Sequence, residues 1–310
     1  MTDSGTPTDP PLASAGGDRT VIVMPVGPHE DPADYRDTLR SVAAYAEPST
    51  SVLLLDDTAR PDLRRSVADI GVRVDVLAGP GRSGLRGALA TLVCRGLAHA
   101  VGPMGAGQVL RMDSDAVMIG PGLEAAARQA FAADPGIGAL GSFRTGPTGV
   151  ARDFGPAVEL FDDDLGRRGL RHPTWALSLR RLLRTAERQG YERGEHALGA
   201  ALLLSRPVLL VCARRGWISA AGGPAGAGAG GVGDDHLLGL LVRAAGFRTA
   251  DFGRPGEPLA VSWRGLPARP EELMASNAKV VHSVKSWGDQ RESDVRAVLR
   301  DGRPGTSGSA

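Results

Sequence analysis

Apolar runs and helical periods alternate along the first 140 residues of the chain. Short apolar runs with the composition of buried strands lie at 20–25, 51–55, 72–77, 108–112 and 137–140. Between them, apolar residues recur at helical spacing over 34–46, 60–69, 82–100 and 121–132. Strands that alternate with helices predict the α/β class, with a Rossmann-like, mostly parallel central sheet flanked by helices.

The second half of the chain is less regular. We expect mostly loop over 142–172, with an acidic patch at 162–164. Further elements are predicted as helices at 174–189, 206–215 and 236–245, a strand at 197–204, and a strand or loop at 278–284. Much of this half, over 142–196 and 250–275, matches no motif, so the pattern predicts only elements there.

A glycine-rich stretch at 220–233 interrupts this half. Its composition is too rich in glycine to hold one conformation by itself. The stretch ends directly before Asp234 and Asp235, which open the helix at 236–245. We therefore expect a mobile lid beside the start of this helix.

Composition and charge narrow the classes of function. The 310 residues carry 36 Lys+Arg and 35 Asp+Glu, and this near-zero balance argues against nucleic acid or an anionic membrane as a partner. Hydrophobic residues make up 42%, and no apolar run approaches the ~20 residues that span a bilayer. The start of the chain has no signal-peptide pattern, so we expect a soluble cytoplasmic protein without a transmembrane segment.

The ends of the chain and its two cysteines add little chemistry. Residues 1–18 and 302–310 are rich in Gly, Pro, Ser and Thr, which predicts disordered tails, the second preceded by a helix within 291–310. Cys94 and Cys212 lie in apolar surroundings, far apart in the chain. Two such cysteines predict buried free thiols rather than a zinc site or a disulfide framework.

Acidic residues follow two of the predicted strands. Asp56 and Asp57 close the second strand, and Asp113 and Asp115 close the fourth, at the edge where such sheets bind ligands. Asp113 and Asp115 can converge on one hard divalent cation, although a solvated acidic turn is the alternative. The first pair can accept hydrogen bonds from a nucleobase or ribose, although a turn or helix cap would also explain it.

Two further features offer catalytic chemistry. Asp234 and Asp235 can supply a general base, although capping of the helix N-terminus is a sufficient structural explanation. His282 can complete the coordination of a divalent ion, although a histidine in an apolar strand is more often structural. Tyr191, Trp217 and Trp263 can stack on a sugar ring, and packing is the alternative for each.

The order and spacing of these segments resemble the glycosyltransferases of the GT-A fold, close to the inverting, DxD-containing family 2 group. The resemblance covers roughly 19–285, and each motif is weak alone. It is carried by the segments 21–25, 52–57, 82–89, 110–116, 121–123, 198–206 and 233–247. The resemblance implies a nucleotide-sugar-binding half at 19–141 and an acceptor-binding and catalytic half at 142–290 of one domain.

The resemblance also implies an activity and its partners. A sugar would pass from a nucleotide diphosphate sugar, of the UDP or GDP type, to an acceptor. That acceptor would be a small molecule, a peptide or a carrier-linked group. The reaction would depend on Mn²⁺ or Mg²⁺ and would be a hexosyl transfer with inversion at the anomeric carbon. The oligomeric state does not follow from the resemblance.

Residue roles follow from the resemblance position by position. The donor nucleotide would be bound by Pro25, Val26, Asp56, Asp57, Arg82, Arg86, Asp113 and Ser114. The metal would be held by Asp115, Asp113 and His282. Asp235 would be the catalytic base, with Asp234 as the alternative. The loop over the acceptor would contain Gly222, Gly223, Gly230, Gly231 and Trp217.

This sequence departs from the family pattern at several points. The acidic pair that opens the late helix begins with Asp234 rather than glutamate, which leaves open which acid is the base. Two other readings remain: a binding module of the same fold that does not catalyse, and a phosphatase of the haloacid dehalogenase type that uses Asp113 and Asp115.

Overall fold

A seven-stranded sheet forms the centre of the protein in a computed structural model that describes residues 17–58, 60, 63–79 and 86–304. In chain-order numbering its strands are β1 (Thr20–Val26), β2 (Ser51–Asp56), β3 (Arg73–Ala78), β4 (Gln108–Met112), β6 (Ile137–Gly141), β7 (Ala201–Ser205) and β8 (Arg248–Asp251). Their spatial order is β3-β2-β1-β4-β7-β6-β8. Strand β7 runs antiparallel to β4 and β6, and the other neighbouring pairs are parallel. The predicted α/β class with a mostly parallel sheet is confirmed.

A smaller sheet packs beside the carboxyl end of β4. It contains β5 (Val117–Met118), β9 (Leu259–Val261) and β10 (Val280–His282), with β10 between the other two. A short hairpin of β11 (Ser286–Trp287) and β12 (Gln290–Arg291) follows. Because β10 pairs with β5, its last residue lies next to the loop that leaves β4.

Helices cover both faces of the central sheet. They are α1 (Pro32–Tyr45), α2 (Leu63–Ser66), α3 (Arg86–Val101), α4 (Leu123–Ala133), α5 (Gly155–Leu165), α6 (Arg167–Arg171), α7 (Pro173–Glu187), α8 (Arg206–Arg214), α9 (Asp234–Ala244), α10 (Pro270–Met274) and α11 (Glu292–Asp301). Successive side chains of β1 point to opposite faces, so Val23 joins the core under α3 while Ile22 joins the core under α1. Burial on both faces explains why the strands have continuous apolar runs.

The second half differs from the sequence prediction in its helices. Residues 142–172, which we expected to be mostly loop, contain α5 and α6. Asp164, in the acidic patch, is completely buried and belongs to the core side of α5. The acidic patch therefore belongs to the helix α5, and one of its acids, Asp164, lies on the buried face of that helix. The predicted strand at 197–204 begins only at Ala201, and the predicted helix at 60–69 is reduced to α2.

The glycine-rich stretch is a packed segment rather than a mobile lid. Gly231 and Val232 donate their backbone N–H groups to the Asp164 carboxylate at 2.8 and 3.1 Å. Trp175 donates to the same carboxylate from Nε1 at 2.7 Å. On the other side, a side-chain carbon at Gly87 of α3 would lie 2.2 Å from the Ala227 carbonyl oxygen. The missing side chains allow this close approach, and the buried carboxylate supplies the hydrogen bonds that fix it.

The C-terminal helix is anchored to α1 by buried ion pairs. Asp37 accepts hydrogen bonds from Arg296 at 3.2 Å and from Arg303 at 2.7 Å. Arg303 lies in the stretch 302–310, for which we expected disorder, yet it is buried. The proposed disorder at 1–16 and 305–310 lies outside the described residues. Across the part of the chain described here, no helix has the length and apolar character needed to cross a membrane.

Candidate active site

A cavity of about 840 Å³ opens at the carboxyl ends of β1, β2 and β4. The donor-site residues predicted from the sequence that line it are Pro25, Val26, Asp57, Arg86, Asp113, Ser114 and Asp115. They meet there because parallel strands end at the same edge of the sheet. Asp56 does not line the cavity, and Arg82 lies outside the described residues. We call this space the first cavity.

Asp56 and Asp57 have different surroundings. Oδ1 of Asp56 accepts hydrogen bonds from the backbone N–H and the hydroxyl of Thr58, at 2.8 and 2.6 Å. These contacts make Asp56 a turn residue, which is the structural alternative considered for this pair. The Asp57 backbone N–H donates to the Val26 carbonyl at 3.0 Å, which places the Asp57 side chain at the cavity wall. Asp57 is therefore the member of the pair that can reach a ligand.

Asp113, Asp115 and His282 converge on one point beside the first cavity, which Asp113 and Asp115 line. Each offers one ligand atom, and these atoms lie within 4.8 Å of one another. Nε2 of His282 is 3.3 Å from Oδ1 of Asp115 and 3.9 Å from Oδ2 of Asp113. Two carboxylates and one imidazole form a donor set that suits Mn²⁺ and accepts other divalent ions.

Contacts behind these three residues fit them for binding a cation. Nδ1 of His282 lies 2.7 Å from the Ser262 carbonyl, so a neutral imidazole donates there and turns the Nε2 lone pair toward the carboxylates. Ser283 donates its hydroxyl to Asp115 at 2.7 Å. Burial opposes ionisation of Asp115, but the hydrogen bond and charge of His282 hold the pKa of this carboxyl well below its usual range. A cation at this point would replace the proton on His282.

The loop that carries these acids is fixed by two helices. The Ser114 carbonyl accepts a hydrogen bond from the Thr38 hydroxyl of α1 at 2.5 Å. It also accepts one from Arg296 of α11 at 3.3 Å. The segment between Asp113 and Asp115 is therefore held by contacts from distant parts of the chain.

Arg111 is the principal site residue that our sequence reasoning missed. It lies in the middle of β4 with 3% of its side chain exposed, and it forms an ion pair with Asp113. Its Nε and NH2 atoms lie 2.8 and 2.7 Å from Oδ2 of Asp234, and NH1 donates to the Gly199 carbonyl at 2.8 Å. Burial lowers the pKa of the guanidinium, but the charges of Asp113 and Asp234 raise this pKa by more than burial lowers it. Arg111 therefore stays charged. The sequence feature that could have indicated this role is the presence of an arginine within an apolar strand.

These contacts separate the two acids at the start of α9. Asp234 is buried and holds Arg111, whereas 23% of the Asp235 side chain is exposed. Oδ1 of Asp235 lies 2.6 Å from Nδ1 of His236 and accepts the His236 backbone N–H at 2.9 Å. Within the described ranges, no hydrogen bond reaches Oδ2 of Asp235. Of the pair, Asp235 is thus the acid with an oxygen that can accept a proton.

His196 is a second residue that our sequence reasoning missed. Its Nε2 accepts a hydrogen bond from Arg152 at 2.9 Å, and its Nδ1 donates to the Gly194 carbonyl at 2.7 Å. The His196 and His236 rings lie 4.1 Å apart beside Asp235. These three side chains offer metal-ligand atoms within 4.8 Å of one another, but Arg152 already uses the Nε2 lone pair of His196. We therefore assign this group to the support of Asp235 and not to a metal.

A second cavity of about 890 Å³ opens over Asp235. Its lining includes residues of the segments 146–151 and 262–267. Arg86 and Leu89, in the first turn of α3, line this cavity and the first cavity alike. A ligand at Asp113 and Asp115 and a ligand at Asp235 would therefore be neighbours.

The predicted acceptor loop is not at either of these cavities. Trp217 lines a separate pocket of about 260 Å³ with Pro224, and the Arg215 guanidinium lies 5.9 Å from its ring centroid. The predicted loop residues that line neither of the two larger cavities are Gly222, Gly223, Gly230 and Gly231. These four glycines lie in the part of the segment that packs against α3 and Trp175, and only its last residue, Gly233, lines the second cavity among the described residues of the stretch. Of the three aromatic candidates, Trp263 lines the second cavity.

Acid should destabilise the protein through His196. Burial and the neighbouring His236 lower the pKa of His196 to about 4, from an ordinary 6.5. The folded state resists protonation, so the stability due to neutral His196 is complete above pH 6.5 and is lost as the pH falls toward 4. We expect a loss of about 2 kcal/mol near pH 5.

Thermal unfolding of wild type and His196→Gln across this range measures the effect. Glutamine keeps an acceptor for Arg152 but does not titrate, so its melting temperature should fall less on acidification. Effects of other acidic groups cancel in the difference. Parallel curves for the two proteins would contradict this assignment of His196.

No known protein family and no curated protein sequence matches this chain. Among solved structures, a mannosyltransferase of Pyrobaculum calidifontis with GDP-Man and Mn²⁺ has 17% identity and a TM-score of 0.42, over 75% of this chain and 54% of that one. Glucosyl-3-phosphoglycerate synthase of Mycobacterium tuberculosis, with phosphoglyceric acid, has 15% identity and a TM-score of 0.39, over 94% and 82%. S. aureus TarS 1–349 with UDP-GlcNAc has 15% identity and a TM-score of 0.42, over 91% of this chain and 71% of that one. This chain thus spans about half of the mannosyltransferase, and these likenesses are too distant to assign an activity.

Proposed function

We propose that this protein is a divalent-cation-dependent glycosyltransferase of the GT-A fold that takes its sugar from a nucleoside diphosphate donor. The observation that carries the proposal is the convergence of Asp113, Asp115 and His282 beside a cavity that adjoins Asp235. A cation site and a nearby carboxylate with a free oxygen are the two groups that sugar transfer from a diphosphate requires. The motif order that resembles family 2 supports the same reading.

In this proposal the first cavity binds the donor. Asp57 accepts hydrogen bonds from the base, beside Pro25 and Val26. Arg86 contacts the diphosphate, since its guanidinium suits phosphate oxygens. Asp115 and His282 hold Mn²⁺ or Mg²⁺ with Asp113, and the bound ion would neutralise the charge of the leaving diphosphate.

Asp235 is the proposed general base. Asp235 lines the second cavity, and its Oδ2 takes the proton of the acceptor hydroxyl, while the contacts of His236 with Oδ1 fix the orientation of the carboxylate. The acceptor oxygen attacks the anomeric carbon as the diphosphate leaves on the other side, which inverts that carbon. Asp234 takes no part in this step because Arg111 occupies its carboxylate.

Release of nucleoside diphosphate from a panel of UDP- and GDP-sugars tests the proposal. With Mn²⁺ present we expect slow donor hydrolysis, which should vanish on chelation and in Asp115→Ala. Asp69→Ala is the matched control, because Asp69 is an exposed acid that pairs with Arg36 on the surface. Release of inorganic phosphate from a phosphomonoester would instead support the phosphatase. No turnover with any donor, and no thermal shift with nucleotide plus metal, would leave a binding module.

A further inference from the structure

Two strongly exposed apolar side chains line the second cavity. Of the four large hydrophobic side chains that are strongly exposed among the described residues, two line this cavity: Val150 at 67% and Trp263 at 73%. They belong to the lining segments 146–151 and 262–267. Exposed apolar groups that line a cavity beside a site indicate a surface that a ligand covers.

The exposed indole of Trp263 can stack on a planar ring of a ligand. The Arg264 guanidinium lies over the ring of Trp263, with its central carbon 4.6 Å from the ring centroid. A cation over one face holds the indole in place and leaves its other surface for a partner. Planar apolar molecules gain most from such a surface, because stacking adds to the burial of area.

Three polar side chains of the same cavity, Arg152, Asp153 and Ser262, are engaged within the protein. NH1 of Arg152 donates to the Ser142 and His196 carbonyls at 2.9 and 2.5 Å, and its NH2 donates to the His196 ring at 2.9 Å. Oδ1 of Asp153 accepts the Gly155 backbone N–H at 2.8 Å. The hydroxyl of Ser262 donates to the Gly265 carbonyl. Each of these three side chains therefore already has a partner within the protein.

From these three observations we infer that the acceptor is a small hydroxylated aromatic molecule, and this inference rests on the proposed function. Its ring stacks on Trp263 and contacts Val150, and its hydroxyl reaches Oδ2 of Asp235. The hydroxyl oxygen forms a bond to the anomeric carbon of the donor sugar. The bond from that carbon to the diphosphate oxygen breaks with its electron pair on the diphosphate, and the hydroxyl proton passes to Asp235.

The volume of the cavity agrees with such an acceptor. About 890 Å³ lies within the range of pockets that enclose drug-sized molecules. Contact of an aromatic ring with Val150 and Trp263 would remove exposed apolar surface from water, which favours binding. An aromatic acceptor has one or two hydroxyls, one of which Asp235 satisfies.

Direct binding of 4-methylumbelliferone to the full chain, loaded with Mn²⁺ and nucleoside diphosphate, tests the inference. We expect saturable binding that Trp263→Ala weakens about tenfold or more, since stacking and lost contact area together exceed 1.4 kcal/mol. Trp263→Phe should recover most of the affinity. The matched control is Trp217→Ala, which changes a tryptophan at a different pocket and should bind like wild type. Val150→Asp should weaken binding independently.

Methyl glucoside and a short peptide with serine serve as competing acceptor classes. If either binds as well as 4-methylumbelliferone, or if Trp263→Ala binds the probe like wild type, the inference is wrong. Metal-dependent donor hydrolysis without aromatic binding would refute this inference and keep the glycosyltransferase. Aromatic binding with no turnover of any donor would refute the glycosyltransferase instead.

Discussion

Asp235→Asn should lower the rate of sugar transfer about 10²–10⁴-fold, the usual contribution of a general base. Asparagine has nearly the same shape, so the contacts with His236 and the wall of the second cavity should persist. The amide cannot take the proton of the acceptor. Affinity for nucleoside diphosphate and Mn²⁺ should stay within a factor of about three, because Asp235 does not line the first cavity.

Steady-state transfer rates and calorimetric titration with nucleotide plus Mn²⁺ measure these two quantities. Asp234→Asn is the matched comparison, since it makes the same chemical change one residue earlier. That variant should lose stability through Arg111 while Asp235 keeps its proton-accepting oxygen. A larger rate loss in Asp234→Asn than in Asp235→Asn, at a temperature where both are folded, would reverse the assignment.

Arg111→Met should destabilise the fold by about 3–5 kcal/mol, the cost of removing one partner of a buried ion pair. Methionine fills much of the volume but leaves Asp234 buried without its cation. For a chain of this size the melting temperature should fall on the order of 10 °C. Metal affinity should fall as well, because Asp113 loses the ion pair that orients it.

Two variants separate this effect from a general loss of charge. Arg73→Met removes an arginine from another strand, where it is 68% exposed and pairs with Asp75, and should cost less than about 1 kcal/mol. Arg111→Met combined with Asp234→Leu should melt above Arg111→Met alone, since no carboxylate is then left unpaired at that position. An Arg111→Met protein that melts like wild type would show that the ion pair contributes little.

The sequence was sufficient for the strands that carry the first cavity. Strands β1, β2 and β4 are buried on both faces, so their apolar runs are continuous, and acids mark the ends of β2 and β4. That pattern predicts Asp57, Asp113 and Asp115 at one edge of the sheet. His282 comes from a distant strand; its imidazole made it a candidate metal ligand, and the resemblance to known glycosyltransferases implied that it shares a metal with Asp113 and Asp115.

Other parts of the site depend on pairings that local patterns do not contain. Arg111 and Asp234 are 123 residues apart, and no residue next to either of them in the sequence indicates that the two will pair. Asp234 and Asp235 are identical in type, so only their directions on α9 decide which one meets Arg111. The glycine-rich stretch reads as mobile in isolation because its order comes from Asp164, a residue in another helix.

Arg86 and Leu89 line both cavities, so they limit how far either cavity can be changed without changing the other. Any change at Arg86 or Leu89 alters the shape of both spaces at once, so selection for a new specificity there would act on two substrates together. The segments 146–151 and 262–267 border only the second cavity. Under the proposed function, variation confined to these two segments would explore new acceptors while the proposed metal ligands Asp113 and Asp115 stay intact, which makes the two segments suitable places for libraries of variants.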